Sequence, residues 1–229
     1  MPAAASLPAP RRRIGRRPAD PDNVSTQERL LAVSEQVFAD HGYVATSLRE
    51  IAARADVTQA LIIYYFGSKQ ALFETLFKRR GLEVSTARQA LLDALLAQPR
   101  PPDVRALVTA YLTPQFALRE KGPQAMAFVR LQARLHHEPD ELALRLRREV
   151  YDASTRNYIA ALQRAVPGLD AADAHWRMMF AVGTYLYMLS GFDRLSEVSE
   201  GRYTTEDTGE VVRRLTDFLV AGFTAPSAG

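Results

Sequence analysis

The sequence has no cysteine among its 229 residues. Disulfide bonds and thiolate metal sites are therefore excluded, and a reducing compartment suits the chain. It also lacks a long apolar run, because the longest, residues 178–192, is shorter than the ~20 residues that a membrane-spanning helix needs. That run contains tyrosine, threonine and glycine, so we expect a buried helix there. We expect a cytoplasmic protein without a membrane segment.

Acidic residues are absent before Asp20, where five arginines occur: Arg11, Arg12, Arg13, Arg16 and Arg17. The net charge is +3, which leaves −2 for residues 18–229. A segment rich in proline and arginine, without periodic apolar residues, cannot offset the entropy cost of ordering, so we predict that residues 1–24 form a flexible basic arm. Two interpretations stay open: a solubilising tail, or an arm that lies along phosphates or enters a minor groove.

Helical periodicity extends along the rest of the chain, and no stretch shows a convincing strand pattern. Residues able to cap a helix precede successive apolar stripes; they are Ser25, Ser47, Thr58, Ser68, Asp103 and Asp170 or Asp173. A glutamate follows both Ser25 and Ser47 after three residues, which is the capping-box pattern. With glycine and proline as stops, the pattern predicts about nine helices, at 26–40, 48–55, 58–66, 69–98, 103–120, 124–137, 140–165, 170–189 and 205–223.

The fold class is therefore all-α, and the 47% hydrophobic content is enough for a sizeable core. Within it, residues 46–73 read TSLREIAARADVTQALIIYYFGSKQALF and contain two short helices joined by a three- or four-residue turn. This is the layout of a helix-turn-helix. If Leu61, Ile62 and Tyr65 face the core, the step of 100° per residue brings four others to the opposite face: Gln59, Ala60, Ile63 and Tyr64.

The same residues carry a resemblance to a known family. The first helix, followed by GYVATSLREIAARADVTQALIIYYFGSKQALFETLF, resembles the DNA-binding domain of the TetR family of bacterial transcriptional regulators. The landmarks occur together: Gly42, Thr46-Ser47, Ile51-Ala52, Val57-Thr58 and Phe66-Gly67-Ser68-Lys69 before Ala71-Leu72. The resemblance covers residues 26–77 and implies an N-terminal helix-turn-helix domain at 25–73, joined to a ligand-binding and dimerisation domain at 74–229.

The resemblance implies roles at matching positions. Thr46 and Ser47 are expected to hold phosphate, Arg49 to reach a base edge or the backbone, and Lys69 to contact phosphate from the fourth helix. The recognition helix is expected to read the major groove with Thr58, Gln59, Ala60, Ile63, Tyr64 and Tyr65. Ile63 and Tyr65 depart from the family, which often has tyrosine and histidine there. Gln59 is the best candidate for base reading, because its amide can pair with adenine at two points.

The C-terminal two-thirds has no such landmark, so its function follows from the resemblance. A homodimer is expected to form through the last two long helices, 172–190 and 205–223, and to bind a near-palindromic operator. The competing interpretation of these apolar helices is one self-contained monomeric core. A small hydrophobic effector, fatty-acid or acyl-CoA-like, is expected to release it. Candidate pocket residues are aromatic or sulfur-containing, with an arginine or His136 as polar anchor: Tyr111, Phe116, Met126, Phe128, Arg130, Arg134, Tyr151, Tyr158, Met178 and Met179.

A repressor is the favoured interpretation, and a ligand-dependent activator is the alternative. Two alternatives belong to a different class of protein: an enzyme, and a helical interaction protein with a non-functional helix-turn-helix. His136, His137, Glu138, Asp140, Glu141 and His175 match no metal-ligand spacing, and no nucleophile motif or phosphate-binding glycine loop occurs. We therefore predict neither a metal site nor a cofactor.

Overall fold

The computed structural model describes residues 21–135, 140–189 and 193–226. These residues form helices and no strand, so the predicted all-α class is confirmed. The helices are α1 (Pro21–Ala45), α2 (Leu48–Arg54), α3 (Gln59–Phe66), α4 (Lys69–Leu96), α5 (Val104–Phe116), α6 (Pro123–Arg134), α7 (Asp140–Val150), α8 (Asp152–Ala165), α9 (Ala171–Leu189), α10 (Arg194–Val198) and α11 (Thr208–Thr224), with a 3₁₀ helix at Ala117–Lys121. The predicted arm up to residue 20, and residues 136–139 with His136, His137 and Glu138, lie outside this part of the chain.

Local capping explains where four of these helices begin. The predicted caps Ser47, Thr58, Ser68 and Asp103 are confirmed, because each side chain accepts a hydrogen bond from the backbone N–H three residues later. The distances are 3.1 Å to Glu50, 3.3 Å to Leu61, 3.0 Å to Ala71 and 2.7 Å to Ala106. Such caps satisfy N–H groups that the first turn of a helix leaves without partners.

The first helix begins earlier than predicted. Its expected start at Thr26 with Ser25 as cap is wrong, since α1 begins at Pro21. Proline suits a first helical position because its missing N–H has no intrahelical acceptor there. The predicted stop at Gly42 is confirmed, because Gly42 has a φ of 78° and interrupts the helix before a last turn that ends at Ala45.

The predicted single helix at 140–165 is wrong, because α7 and α8 meet at a bend at Tyr151. This bend packs against Gly81 of α4. A Cβ atom at Gly81 would lie 2.5 Å from Val150 Cγ1 and 2.9 Å from Tyr151 Oη. The bend therefore depends on a residue 70 positions away, which periodicity within 140–165 cannot reveal.

Two helices near the C-terminus also differ from the prediction. The last helix begins at Thr208, not at Thr205, and α10 was not predicted because five residues are too few to show a period. With the bend at Tyr151, the described residues hold eleven α-helices instead of about nine. None of these helices is long and apolar enough to cross a membrane.

Helices α1 to α3 form a small three-helix unit, the head, and α4 connects it to the remaining helices, the body. Phe38 of α1, Ile51 of α2 and Ile62 of α3 are buried together in the head. The turn between α2 and α3 contains Asp56 with a φ of 51°, a left-handed conformation that aspartate tolerates better than most residues. The head therefore presents α2 and α3 at a fixed angle.

The core of the head continues into the body along α4. The rings of Phe38 and Phe73 lie 5.0 Å apart, and those of Phe77 and Phe128 lie 5.6 Å apart. Arg80 of α4 also pairs at 3.2 Å with the buried Glu35 of α1, whose pKa is raised by burial. In the body, α5 and α8 pack on α4, while α11 and α9 cover them on the outside. Head and body are thus joined through α4 and through the packing of α1 on α6.

Candidate DNA-binding surface and effector cavity

Helix α3 has one buried face and one exposed face, as the sequence predicted. Ile62 and Phe66 are buried, and Leu61 and Tyr65 are half-buried. The exposed residues are Gln59, Ala60, Ile63 and Tyr64, with Tyr64 78% exposed. No residue of α3 carries a charge. This surface combines an amide, a hydroxyl and two apolar groups, and no carboxylate on α3 would repel a phosphate.

The two residues at the start of α2 have different environments. Ser47 is exposed and caps α2. Thr46 is only 2% exposed, and its hydroxyl donates to the Gly42 carbonyl oxygen at 2.7 Å. The Thr46 side chain therefore lies inside the head and stabilises the interruption of α1 at Gly42. Ser47 faces solvent.

Arg49 and Arg54 on α2 differ in their charge environment. Arg54 lies 3.0 Å from Glu50 and 3.6 Å from Asp40, so acidic neighbours compensate its charge. Arg49 is exposed and forms no ion pair with another residue of the described ranges. An uncompensated arginine beside the exposed face of α3 favours a polyanion at this surface.

Lys69 is directed into the protein, unlike the phosphate contact that the resemblance implied. Its ammonium nitrogen donates to the carbonyl oxygens of Tyr43 at 2.8 Å, Thr46 at 2.9 Å and Val44 at 3.4 Å. It also lies 4.4 Å from the centroid of the Tyr43 ring. Three acceptors use all three protons of the ammonium group. Lys69 therefore stabilises the end of α1 and positions the start of α2.

This geometry gives a first prediction. Lys69→Met keeps the apolar stem beside Tyr43 but leaves three carbonyl oxygens without their donor, so we expect the free energy of unfolding to fall by about 1–3 kcal/mol. Urea denaturation measures this change. We expect the slope of log affinity for DNA against log salt concentration to stay unchanged. A slope reduced by about 0.9 would instead mean that the ammonium group neutralises a phosphate.

A cavity of about 260 Å³ lies in the body between α5, α6, α8 and α9. Three of the predicted pocket residues line it: Tyr111, Tyr151 and Met179. Leu135, Val182 and Leu186 supply apolar surface, and Gln132 and Thr155 supply polar groups. The cavity therefore offers a mostly apolar enclosure with a few polar groups, as small-molecule sites do.

The other predicted pocket residues lie elsewhere. Phe116, Phe128, Tyr158 and Met178 are buried in the core. Arg130 lies 3.7 Å from Asp40 of α1, Met126 lines a separate depression beside Leu189, and Arg134 is exposed. Helical spacing brings aromatic residues to the inside without distinguishing a cavity wall from solid core.

Arg88 of α4 was missed by sequence reasoning. It is fully buried, and its Nε atom donates to the Tyr111 carbonyl oxygen at 2.8 Å. Its guanidinium carbon lies 3.9 Å from the centroid of the Tyr111 ring and 5.2 Å from that of Tyr185. Both rings belong to residues of the cavity wall. The signal was present, because Arg88 continues the buried stripe of Gly81, Val84, Ser85 and Leu92 at helical spacing.

A series of aromatic contacts connects the head to the cavity. The Tyr43 ring in the head lies 5.0 Å from Phe73, Phe73 lies 6.3 Å from Phe77, and Phe77 lies 6.1 Å from Tyr151. Phe73 and Phe77 are both fully buried on α4. One end of this series contacts Lys69 and the other end lines the cavity.

Two family models match the chain. One, described as bacterial regulatory proteins of the tetR family, matches residues 30–76, which contain α2, α3 and most of α1. The other, described as a tetracyclin repressor-like C-terminal domain, matches residues 109–222, which contain most of the cavity wall. Together they span well over half of the chain, which therefore belongs to the TetR family of bacterial regulatory proteins.

Individual relatives agree with this assignment. Over 53 residues the chain is 43% identical to the probable HTH-type transcriptional regulator YttP of Bacillus subtilis, a match that spans 23% of this chain and 26% of the relative. The fold resembles that of the fatty acid degradation regulator FadR of Bacillus halodurans, with a TM-score of 0.63, 18% identity, and 86% and 95% of the two chains covered. A TetR-like regulator of Rhodococcus gives a TM-score of 0.58 at 18% identity, with 86% and 93% covered.

Proposed function

We propose that this chain is a ligand-responsive transcriptional repressor that binds a near-palindromic operator as a dimer and is released by a small hydrophobic effector. The observation that carries the proposal is the exposed face of α3, which has base-reading groups and no charge. The proposal divides the chain into three parts: a basic arm at 1–24, the DNA-binding domain at 25–73, and the domain for effector binding and dimerisation at 74–229. The family is one of DNA-binding regulators, so enzymatic activity is not part of the proposal.

Base reading is assigned to the exposed face of α3. Gln59, in the first turn of α3, has an amide that can donate to and accept from adenine in the major groove. Ala60 and Ile63 supply apolar surface for a thymine methyl group. Ser47, Thr58, Tyr64 and Tyr65 have hydroxyl groups suited to phosphate oxygens, and Arg49 adds a positive charge. Thr46 and Lys69 contribute from inside by holding the start of α2.

The dimer is assigned to α9 and α11, as in the sequence-based prediction. Trp176 and Phe180 of α9 are each 63% exposed, and Tyr187 is 59% exposed. Together with Gly183 they follow one stripe, at steps of four, three and four residues. Phe218 of the neighbouring α11 is 66% exposed. A monomeric protein rarely exposes large aromatic residues in such a row, and a symmetric pair of the same surfaces would bury them.

Effector binding is assigned to the cavity in the body. The related fold of a fatty acid degradation regulator supports an effector with an apolar chain. A cavity of about 260 Å³ is at the small end of ligand pockets, which hold about 300–1,000 Å³. Ligand binding acts on DNA affinity through α4, whose first turn meets the head and whose later turns pack on the cavity wall. A tenfold change in operator affinity needs only about 1.4 kcal/mol of difference between the two states.

Selection from a random DNA pool tests the DNA-binding part of the proposal. We expect the purified full chain to enrich a near-palindrome with half-sites about one helical turn apart, with affinity that falls steeply as salt rises. Addition of effector should then lower the affinity, whereas an increase would indicate the activator alternative. Failure to enrich any sequence would favour an interaction protein whose helix-turn-helix no longer binds DNA.

The same selection with Gln59→Ala assigns the base contact. We expect the preference at one base step in each half-site to relax, at a cost of about 1–3 kcal/mol on the selected operator, while binding to random DNA stays the same. Gln70→Ala is a matched control, because Gln70 is also an exposed glutamine but bonds to Glu74 on α4. Equal losses on operator and random DNA for Gln59→Ala would remove its reading role.

A further inference from the structure

The body contains a buried arginine that has no counter-ion among the described residues. Arg88 is 0% exposed, and only its Nε atom has an acceptor, the carbonyl oxygen of Tyr111. Neither terminal nitrogen, Nη1 or Nη2, has a hydrogen-bond partner within the described residues. The guanidinium group stays protonated in proteins. Arg88 therefore keeps a full positive charge, with four unused N–H donors, inside the core.

Such an arrangement is costly unless something compensates the charge. An isolated ion inside a protein loses its hydration, and buried charges are normally paired. The rings of Tyr111 and Tyr185 attract the guanidinium group through their faces, but they carry no net charge. Burial raises the pKa of Tyr185 to about 12 and that of Tyr151 further still, so both hydroxyl groups remain neutral at pH 7. Among the described residues, no carboxylate supplies the counter-charge, which leaves a ligand as a source for it.

Arg88 lies next to the cavity, behind two tyrosines of its wall, although it does not line the cavity itself. Tyr111, Tyr151 and Tyr185 line it, and the first and last of them contact the guanidinium group. The Tyr151 hydroxyl is also buried without a hydrogen-bond partner. Unused donors of Arg88 and Tyr151 thus lie in or directly behind the tyrosines of the cavity wall, whereas Leu135, Val182 and Leu186 line the cavity with apolar surface.

Two further charged residues line the cavity, and they do not compensate Arg88. Asp152 pairs at 3.0 Å with Arg156, and both it and Arg147 are only half-buried. Because they have opposite signs and reach solvent, they leave the charge at the buried end unchanged.

We propose that Arg88 binds the carboxylate of a free apolar monocarboxylic acid, whose hydrocarbon part fills the cavity. This proposal rests on the proposed function, in which the cavity holds the effector, and it narrows the effector class. A thioester such as an acyl-CoA has no charge at the acyl carbon, and its charged nucleotide exceeds a cavity of about 260 Å³. The free acid brings the negative charge to the end where the arginine and the Tyr151 hydroxyl lack partners.

Binding at Arg88 also acts directly on the helix that carries the head. Arg88 belongs to α4, and the first turn of α4 contains Lys69, which holds the end of α1. A carboxylate that draws the guanidinium group toward the cavity pulls on α4 itself, and no intermediate helix is needed. In the proposed dimer, a displacement of α4 by the acid would change the distance between the two heads.

The test uses three probes on the full chain: octanoate, methyl octanoate and octanoyl-CoA. We expect octanoate at 100 times its Kd to raise Tm by about 5–10 °C. Methyl octanoate and octanoyl-CoA, which have no carboxylate on the octanoyl group, should leave Tm unchanged. Calorimetric titration gives the Kd. Equal shifts with octanoate and methyl octanoate, or no shift with octanoate, hexanoate and decanoate, would overturn the proposal.

Variants of Arg88 separate ligand binding from folding. We expect Arg88→Met to melt at or above the wild-type temperature, because it removes a buried charge, and to bind octanoate at least 30-fold more weakly. Arg88→Lys keeps the charge and should recover part of the affinity. Arg164→Met is the control, since Arg164 is exposed on α8 and does not line the cavity. Two results would contradict the proposal. One is that Arg88→Met still binds octanoate; the other is that Arg88→Met has a lower Tm than the wild type and Arg88→Lys does not restore it.

The result is independent of the DNA-binding test. If the chain enriches a palindrome but binds none of octanoate, hexanoate and decanoate, the proposed regulator is supported and the role of Arg88 is not. If the chain binds octanoate through Arg88 but selects no DNA sequence, the role of Arg88 is supported and the proposed regulator is not.

Discussion

Phe180→Asp is expected to convert the dimer into a monomer of 25.5 kDa and to weaken operator binding about 10²- to 10⁴-fold. Phe180 lies in the middle of the exposed stripe on α9, between Trp176 and Gly183. In a symmetric interface the substitution would bury two carboxylates without partners. A monomer binds only one half-site, so the gain from engaging the second half-site is lost. Light scattering measures the mass, and titration of the selected operator measures the affinity.

Val198→Asp is the matched control, because Val198 is 71% exposed but belongs to α10, outside α9 and α11. We expect its mass and operator affinity to equal those of the wild type. Phe180→Leu should also stay dimeric, since it keeps an apolar group at the same position. A dimeric mass for Phe180→Asp would mean that α9 and α11 do not form the interface.

Features that depend on neighbours in sequence were predictable. Ser47, Thr58, Ser68 and Asp103 each cap a helix through a bond to a backbone N–H three residues away. The division of α3 follows equally from helical geometry, because Gln59 and Tyr64 are set on the opposite side from Ile62 by angle alone. The turn and the two short helices α2 and α3 are built from such local features, which is why the sequence describes this part of the head well.

Features that depend on distant packing were not predictable. The bend at Tyr151 occupies the space that Gly81 leaves, and Lys69 turns inward because the carbonyl oxygens of Tyr43, Val44 and Thr46 lie nearby. Phe128 and Tyr151 were both predicted to line the pocket, yet Tyr151 lines the cavity and Phe128 does not. Membership of a cavity wall is a property of several helices at once, which one helix's pattern does not contain.

Arg88 is an intermediate case. Its position on the buried stripe of α4 is readable from the sequence, because Val84, Ser85 and Leu92 flank it at helical spacing. The stripe predicts a buried arginine, which is rare enough to indicate a function. Only the structure reveals that Tyr111 and Tyr185 surround it and that no carboxylate of residues 21–135, 140–189 and 193–226 pairs with it. A charged residue at an apolar position is therefore a useful signal when a sequence of this family is searched for its effector site.

Phe77→Ala is expected to have the largest effect on stability, a loss of about 3–5 kcal/mol in the free energy of unfolding. Phe77 is fully buried on α4, with its ring 6.3 Å from Phe73, 5.6 Å from Phe128 and 6.1 Å from Tyr151. Truncation leaves a cavity where α4, α6 and the bend between α7 and α8 meet. Urea denaturation followed by circular dichroism measures the loss.

Leu82→Ala is the control on the same helix, because Leu82 is 46% exposed and its truncation opens no cavity. We expect it to change stability by less than about 0.5 kcal/mol. Phe77→Leu keeps most of the volume and should fold, so it tests communication between cavity and head. We expect it to bind ligand and operator separately but to show a smaller effect of one on the other, because the contact between Phe73 and Tyr151 through Phe77 is loosened. A coupling equal to that of the wild type in Phe77→Leu would mean that α4 transmits the change as a rigid body, and that the aromatic series serves the core alone.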